Sequence, residues 1–205
     1  MQQVLTTSTL PVMESFYTLQ GEGYHKGKAA YFIRLGGCDV GCVWCDVKES
    51  WDASIHPQKS IEEIIKEVKK HNCKLVVITG GEPLLHNLNE LTQQLQTAGF
   101  ETNIETSGAH PLSGNWDWIC LSPKKFKGPL PEIIQKANEL KIVVFNTSDF
   151  EWAEHYAALV NANCKLYLQP EWDKSEKITT FIIDYIKAHP KWALSLQIHK
   201  YINVP

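Results

Sequence analysis

Gly36-Gly37-Cys38-Asp39-Val40-Gly41-Cys42-Val43-Trp44-Cys45-Asp46 is the stretch whose reading decides this chain. It carries three of the six cysteines, in a C-x3-C-x2-C spacing. Glycines punctuate it, which marks a loop rather than the interior of a helix or strand. A glycine-rich loop can turn its thiolates inward around one inorganic centre. A structural zinc ion takes four protein ligands, and an iron–sulfur cube usually takes four cysteines. Three cysteines on a cube leave one iron without a protein ligand, and an open iron can bind a small molecule.

The rest of the chain sets the boundaries. Its 205 residues are enough for one sizeable domain with a proper core, expected over 1–205. Apolar residues make up 43% of the chain, an ordinary globular fraction. The formal net charge is −3 and no Lys/Arg run stands out, which argues against a nucleic-acid partner. The N-terminal Met1-Gln2-Gln3-Val4-Leu5-Thr6 lacks a basic segment followed by a long apolar run, so no signal peptide is expected. Apolar strings such as Leu75-Val76-Val77-Ile78 are too short to span a bilayer. A cytoplasmic, reducing location follows as an expectation, and there close cysteine spacing reads as metal or catalysis rather than disulfide.

Outward from the cysteine loop, strands alternate with helices. Residues 1–13 read as irregular, and Glu14 to Gly23 as a short run ending in a Gly-x-Gly turn, Gln20-Gly21-Glu22-Gly23. Ala29 to Leu35 reads as a buried strand with Arg34 at its end, placed either for a surface ion pair or for a site. Ser60-Ile61-Glu62-Glu63 is a capping box, and Ile61, Ile64, Ile65 and Val68 share the face of the helix it opens. Leu75 to Thr79 is the next strand and opens into Gly80-Gly81-Glu82-Pro83, whose glycines offer backbone groups to a bound molecule. Further strands are expected over 100–105, 118–121, 142–145 and 165–168, with helices over 88–98, 149–160 and 176–188 and a last extended run over 192–198. Polar residues recur just past the strand ends: Thr79 to Glu82, Glu105 to Ser107, Ser122 and Lys124, Gln169, and His199. That pattern predicts an α/β fold with a parallel sheet covered by helices and a site at the C-terminal strand edge. Roughly six strands in so short a chain predict a partial, incomplete β/α barrel. Cys73, Cys120 and Cys164 lie at or beside strands and read as small buried apolar residues. Trp44, between two loop cysteines, stands where it would shield the centre from water.

The C-x3-C-x2-C loop followed by the Gly80-Gly81-Glu82-Pro83 turn resembles the radical S-adenosylmethionine (SAM) enzymes. Further segments narrow the resemblance: Leu19-Gln20-Gly21-Glu22-Gly23, Phe32-Ile33-Arg34-Leu35, Ile104-Glu105-Thr106-Ser107-Gly108, Ser122-Pro123-Lys124 and Gln197-x-His199-Lys200-Tyr201. Together, from about residue 14 to the C-terminus, they resemble the 7-carboxy-7-deazaguanine synthase family. The resemblance implies a partial barrel of the radical SAM type and a [4Fe–4S] cluster on Cys38, Cys42 and Cys45. It implies reductive cleavage of SAM, hydrogen removal from C6 of 6-carboxy-5,6,7,8-tetrahydropterin, and ring contraction with loss of ammonia to 7-carboxy-7-deazaguanine. That product is a precursor of queuosine and related 7-deazapurines, and SAM is re-formed in the process.

By the same resemblance, Gly80, Gly81, Glu82, Ser107, Ser122, Pro123, Lys124 and Gln169 would hold SAM. Leu19, Gln20, Gly21, Glu22, Arg34, Thr79, His199 and Pro205 would contact the pterin. Glu105 would act as a catalytic group. Ile202 and Val204 would help dock the tail that brings Pro205 back to the substrate. A flavodoxin- or ferredoxin-type electron donor and a homodimer are also implied. One position departs from the pattern. The family usually has a threonine or serine two residues after the third cysteine, where its hydroxyl binds Mg2+. Here the chain reads Cys45-Asp46-Val47, and valine offers no oxygen to a hard cation. Two other readings compete: a small radical SAM activase acting on a protein partner, and a zinc-binding module completed by His25 or His56.

Overall fold

The computed structural model describes residues 8–205. Strand β1 (Thr9–Leu19) runs antiparallel to β2 (Ala29–Leu35), and β3 (Gln58–Ser60) pairs with the start of β1. Residues 9–13 are therefore strand rather than irregular; residues 1–7 lie outside the described part. The reason is burial: Leu10 and Val12 are 4% and 2% exposed and enter the main core. Pro11 interrupts no ladder, because a proline's missing N–H is tolerated near a sheet edge while its carbonyl stays available. That carbonyl accepts from the Gly36 N–H at 2.8 Å.

The capping box forms as its sequence predicts. Ser60 Oγ accepts from the Glu63 N–H at 3.2 Å and Glu63 Oε2 from the Ser60 N–H at 2.7 Å, opening α1 (Ile61–Val68). Then β4 (Leu75–Gly80), α2 (Asn89–Thr97), β5 (Glu101–Thr106) and β6 (Trp118–Leu121) follow in turn. A short α3 (Pro131–Lys136) was not expected; Pro131 fits a helix's first turn, and Ile133 and Ile134 are buried beneath it. Strand β7 (Glu139–Val144) begins three residues before the Ile142 start expected for it. After α4 (Asp149–Ala157), β8 (Lys165–Pro170) and α5 (Ser175–Ala188), the last extended run resolves into a short β9 (Trp192–Leu194) and α6 (Ile198–Ile202).

Among the described residues the strands form one nine-stranded sheet in the order β3-β1-β2-β4-β5-β6-β7-β8-β9. All pairs from β2 to β9 are parallel, and only β1 and β3 run against their neighbours. The sheet curls without closing, an incomplete β/α barrel. Its two ends are bridged by the β1–β2 hairpin loop, residues 20–28. The Gly23 N–H donates to Ser195 Oγ, just past β9, at 3.0 Å. The Tyr24 N–H donates to Glu139 Oε2 on β7 at 3.2 Å, and the Tyr24 ring stacks on Trp118 of β6 at 4.6 Å. The loop leaves β1 at Leu19, opposite Ala29 at the start of β2, so it enters from the N-terminal edge of the parallel strands.

Candidate active site

The parallel strands end where the cysteine loop begins. Gly37 and Gly41 sit at φ 103° and 74°, left-handed conformations that a side chain disfavours. The loop is fastened by backbone bonds from two sides. The Gly37 and Cys38 N–H groups donate to the carbonyls of Ser50 and Trp51 at 2.6 and 3.1 Å. On the other side, the Glu82 N–H donates to the Gly37 carbonyl at 2.8 Å, and the Gly81 N–H to that of Leu35 at 3.1 Å. The Gly80-Gly81-Glu82-Pro83 turn is thus bonded directly to the start of the cysteine loop.

Cys42 is buried with Val40 and Ala109, and Cys38 and Cys45 pack against this small apolar patch. Burial, aided by the neighbouring thiols, pushes the Cys42 thiol up to about 11 and raises Cys38. Such thiols ionise when a metal draws the proton off. Cys73, Cys120 and Cys164 line no part of the cavity described below, so the loop supplies three thiols and no fourth. Among the described residues, no group of three or more His, Cys, Asp or Glu side chains closes around a single ion. The three loop thiols fit a cube, whose ligands sit on separate irons. The zinc reading loses its fourth ligand. His25 packs against Trp118 at 4.8 Å, and His56 Nε2 is bonded to the Glu49 carbonyl at 2.9 Å.

A cavity of about 290 Å³ opens beside the loop. All three cysteines line it. So do Leu19 at the end of β1, Gln20, Gly21 and Glu22 from the hairpin loop, and Arg34, Thr79, Gly80, Gly81, Glu105, Ser107, Ser122 and Gln169 from the strand ends. Lys124, His199 and Pro205 complete the expected set. Two expected residues do not line it. Pro123 lies outside the cavity. Glu82 is 1% exposed and its carboxylate is fully engaged by protein. It accepts from the Leu84 N–H at 3.1 Å, Thr106 Oγ1 at 2.5 Å, the Ser107 N–H at 2.8 Å, and the Ser107 hydroxyl. Glu82 therefore ties the β4 turn to the end of β5 instead of facing a ligand with its carboxylate.

Arg34 is ion-paired and also reaches the cavity. Its Nε donates to Glu14 Oε1 across the β1–β2 ladder at 2.6 Å, and the side chain also borders the cavity. Lys124 Nζ donates to the Ser122 carbonyl and hydroxyl at 2.7 and 2.6 Å, and lies 5.7 Å over the Trp44 ring. Trp44 itself lines the cavity, with Phe126 edge-on at 6.4 Å. Burial lowers the basicity of Lys124.

The floor of the cavity is a charged network. Gln20 Nε2 donates to Glu105 Oε1 at 2.9 Å, while Gln20 Oε1 accepts from the Glu22 N–H at 3.0 Å. Glu22 Oε1 accepts from Gln197 Nε2 at 3.0 Å. Glu22 Oε2 accepts from the ammonium of Lys141, which also stands 3.7 Å from Glu105 Oε2. Burial alone would raise Glu22, but the Lys141 charge and hydrogen bond outweigh it and hold the carboxyl at about 2. Lys141 is the important residue that the sequence did not expose. It lies two positions after Glu139 in a stretch read as preceding its strand.

The tail folds over this floor. The Ile198 N–H donates to the Gly21 carbonyl at 3.0 Å, and the His199 ring lies against Gly21, leaving no space for a methyl group there. Burial lowers the His199 imidazole. Ile202, expected to dock the tail, is 50% exposed. The tail turns instead through Asn203 at φ 59°, with the Val204 N–H on the His199 carbonyl at 3.1 Å. Lys200 Nζ reaches Asp46 Oδ2 at 2.9 Å and sits 4.7 Å over the Trp172 ring.

The sequence profile of the Radical SAM superfamily matches residues 32–168, from the strand before the cysteine loop to β8. The 7-carboxy-7-deazaguanine synthase of Flavobacterium psychrophilum is 56% identical over 96% of this chain and 93% of the relative. The chain belongs to the radical SAM superfamily and, within it, to the 7-carboxy-7-deazaguanine synthases. The synthase of Synechocystis sp. is 47% identical over 98% of the chain and 96% of its own length. The crystal structure of QueE from Escherichia coli superposes with a TM-score of 0.82 at 35% identity, covering 93% of this chain and 95% of that one. Membership in this family of synthases makes the chain a radical SAM lyase and implies a [4Fe–4S] cluster and SAM. It removes support from the activase reading, since near-full-length relatives carry the synthase name. No helix among the described residues is long and apolar enough to cross a membrane.

Proposed function

We propose that this chain, acting as one domain over residues 1–205, converts 6-carboxy-5,6,7,8-tetrahydropterin to 7-carboxy-7-deazaguanine with loss of ammonia, on the route to queuosine. One observation carries the reading: a single cavity unites the three-cysteine loop, the glycine turn after β4 and the charged floor made by the hairpin loop. The first two suit a cluster and SAM, and the third suits a small polar heterocycle.

When bound, the cluster and SAM supply a 5′-deoxyadenosyl radical able to remove a hydrogen atom from the substrate. The protein's part is to bind, orient and keep water out. Cys38, Cys42 and Cys45 would hold the cluster. Gly80 and Gly81 would offer backbone groups to SAM, with Ser107, Ser122, Lys124 and Gln169 lining the same cavity. Arg34 keeps part of its guanidinium beyond the Glu14 pair and suits the substrate carboxylate. Glu22 and Glu105 offer acceptors to ring N–H groups. Leu19, Gln20, Gly21, Thr79, His199 and Pro205 shape the rest of the pocket. Glu105 Oε2, beyond hydrogen-bond distance of Lys141, is free to meet the substrate as the catalytic carboxylate.

The residues do not fit Mg2+ at the usual place. Val47 has no side-chain oxygen, and its carbonyl already accepts from the Ser50 N–H and hydroxyl at 3.1 and 2.7 Å. Asp46 is paired with Lys200. Turnover is therefore expected to depend only weakly on Mg2+, and Val47→Thr to increase that dependence. Strong activation by Mg2+ that is equal in both proteins contradicts this. A flavodoxin- or ferredoxin-type donor, a homodimer and a cytoplasmic location complete the proposal.

The deciding experiment is anaerobic turnover by reconstituted protein with dithionite, SAM and 6-carboxytetrahydropterin, with product read by mass spectrometry. Formation of 7-carboxy-7-deazaguanine, lost in Cys42→Ala, supports the reading. SAM cleavage with the pterin untouched overturns the substrate assignment.

A further inference from the structure

Lys141 is 4% exposed and sits on β7, lining the cavity floor between two carboxylates. A buried lysine is costly unless its charge is met. Here it is met twice, by Glu22 through a direct hydrogen bond and by Glu105 at 3.7 Å. The two contacts leave the carboxylates in different states. Glu22 is held on both oxygens, by Lys141 and by Gln197. Glu105 is held on Oε1 by Gln20, while its Oε2 lies within ion-pair reach of Lys141 but beyond hydrogen-bond length. That oxygen keeps its lone pairs for a ligand. Two carboxylates and one ammonium leave the group a net negative charge, suited to a neutral ring rich in N–H donors.

We propose that Lys141 is a positioning residue for substrate recognition, its ammonium fixing Glu22 and Glu105 as an ionised acceptor pair for the N–H groups of the substrate's aminopyrimidine ring. This rests on the proposed function. The groups facing Lys141 come from every element packed around it: Glu22 from the hairpin loop, Glu105 from β5, Cys120 from β6, Lys124 from the loop after β6, and Glu139 from β7, with His199 from α6 beside Glu22. Burial works against the charge of Lys141, but Glu105 and Glu22 hold it protonated well above the ordinary lysine value. Without it, two carboxylates share one poorly solvated site, and one of them takes up a proton as the pH falls. A protonated carboxyl presents an O–H where the ring presents N–H.

The test is steady-state kinetics of the reconstituted holoenzyme from pH 6 to 8, comparing wild type, Lys141→Met, Lys141→Arg, Glu22→Gln and the Glu22→Gln/Lys141→Met double variant. Lys141→Met is expected to lower kcat/KM for 6-carboxytetrahydropterin about tenfold or more, with the larger share in KM and with KM for SAM within about threefold of wild type. Its KM should rise further toward pH 6 relative to wild type, while Lys141→Arg keeps the wild-type pH profile. On the Glu22→Gln background the Lys141→Met effect should shrink to about threefold or less, because the two residues act as a unit. The double variant also serves if Lys141→Met does not fold, since removing both partners of a buried pair is tolerated better than removing one. Unchanged KM and pH profile in Lys141→Met, or a full tenfold effect on the Glu22→Gln background, overturns the inference. Failure of the substrate assignment shows in wild type, as absence of turnover, and failure of the inference shows only in the variants.

Discussion

A methyl group at Gly81 would meet the Gly37 carbonyl oxygen and approach Cys38 Cβ to 2.6 Å. Both neighbours belong to a loop fastened by backbone bonds, so neither can move cheaply. Gly81→Ala should therefore push the cysteine loop off its seat. The expected result is less iron per chain after anaerobic reconstitution and weaker visible absorbance, with stability lower by about 1–3 kcal/mol. Wild-type iron content in that variant would show that the close approach does not position the cysteines. Glu82 is the complementary case. Four donors converge on its carboxylate, and a glutamine amide nitrogen accepts from none of them. Glu82→Gln should cost about 2–4 kcal/mol, read as a lower urea midpoint with an unchanged denaturant slope. The sequence made Glu82 visible and misjudged what it faces. A motif gives a residue's place in the chain, whereas its direction depends on Thr106 and Ser107, some 25 positions away. Lys141 was hidden for a different reason. Glu139 and Lys141 fall ahead of the apolar run expected over 142–145, and their carboxylate and ammonium find partners in the hairpin loop that covers them.

At the level of elements, legibility followed local chemistry. The capped helix α1 and the apolar strands β2 and β4 are written in residues a few positions apart, and they appear as read. The first residues of β1 and the whole of β3 support each other; Thr9, Pro11 and Gln58 carry no strand signal alone. The tail helix α6 is the extreme case. It is five residues long, buries none of them, and is held by partners in three other segments. Gly21, Asp46 and Trp172 are those partners. Its hold on the cavity therefore rests on few contacts, among them the Lys200 pair. Lys200→Met should change the free energy of unfolding by less than about 1 kcal/mol, since Asp46 is largely exposed. It should raise KM for the pterin and speed proteolytic clipping after Gln197. A larger stability loss with unchanged KM would mean that the pair serves the fold and not the cavity.

For the whole molecule, an open sheet leaves a problem that a closed barrel does not have: its first and last strands must be held together by something other than a ladder. Here the hairpin loop does this, through the Glu22–Lys141 pair together with bonds to Gln197 and Ser195 on the far side. The cavity floor, and with it part of the bridge between the sheet's ends, thus includes one ionised carboxylate. Glu22 is held at about 2 against an ordinary value of 4.5. A depressed carboxyl stabilises the fold fully above its unfolded value and loses that contribution as the pH falls toward its folded value. Glu139, raised by burial, works in the opposite direction over the same range, so the acid stability of wild type alone mixes the two. The difference between wild type and Glu22→Gln separates them, because a protonated Glu22 and a glutamine are nearly alike. Urea unfolding of both proteins should give a wide gap in stability at pH 7. The gap should narrow steeply as the pH falls from about 5 to about 3, because the charge that distinguishes them is being titrated away. A gap of constant width across that range would mean that shape at position 22, and not its charge, holds the two ends of the sheet together.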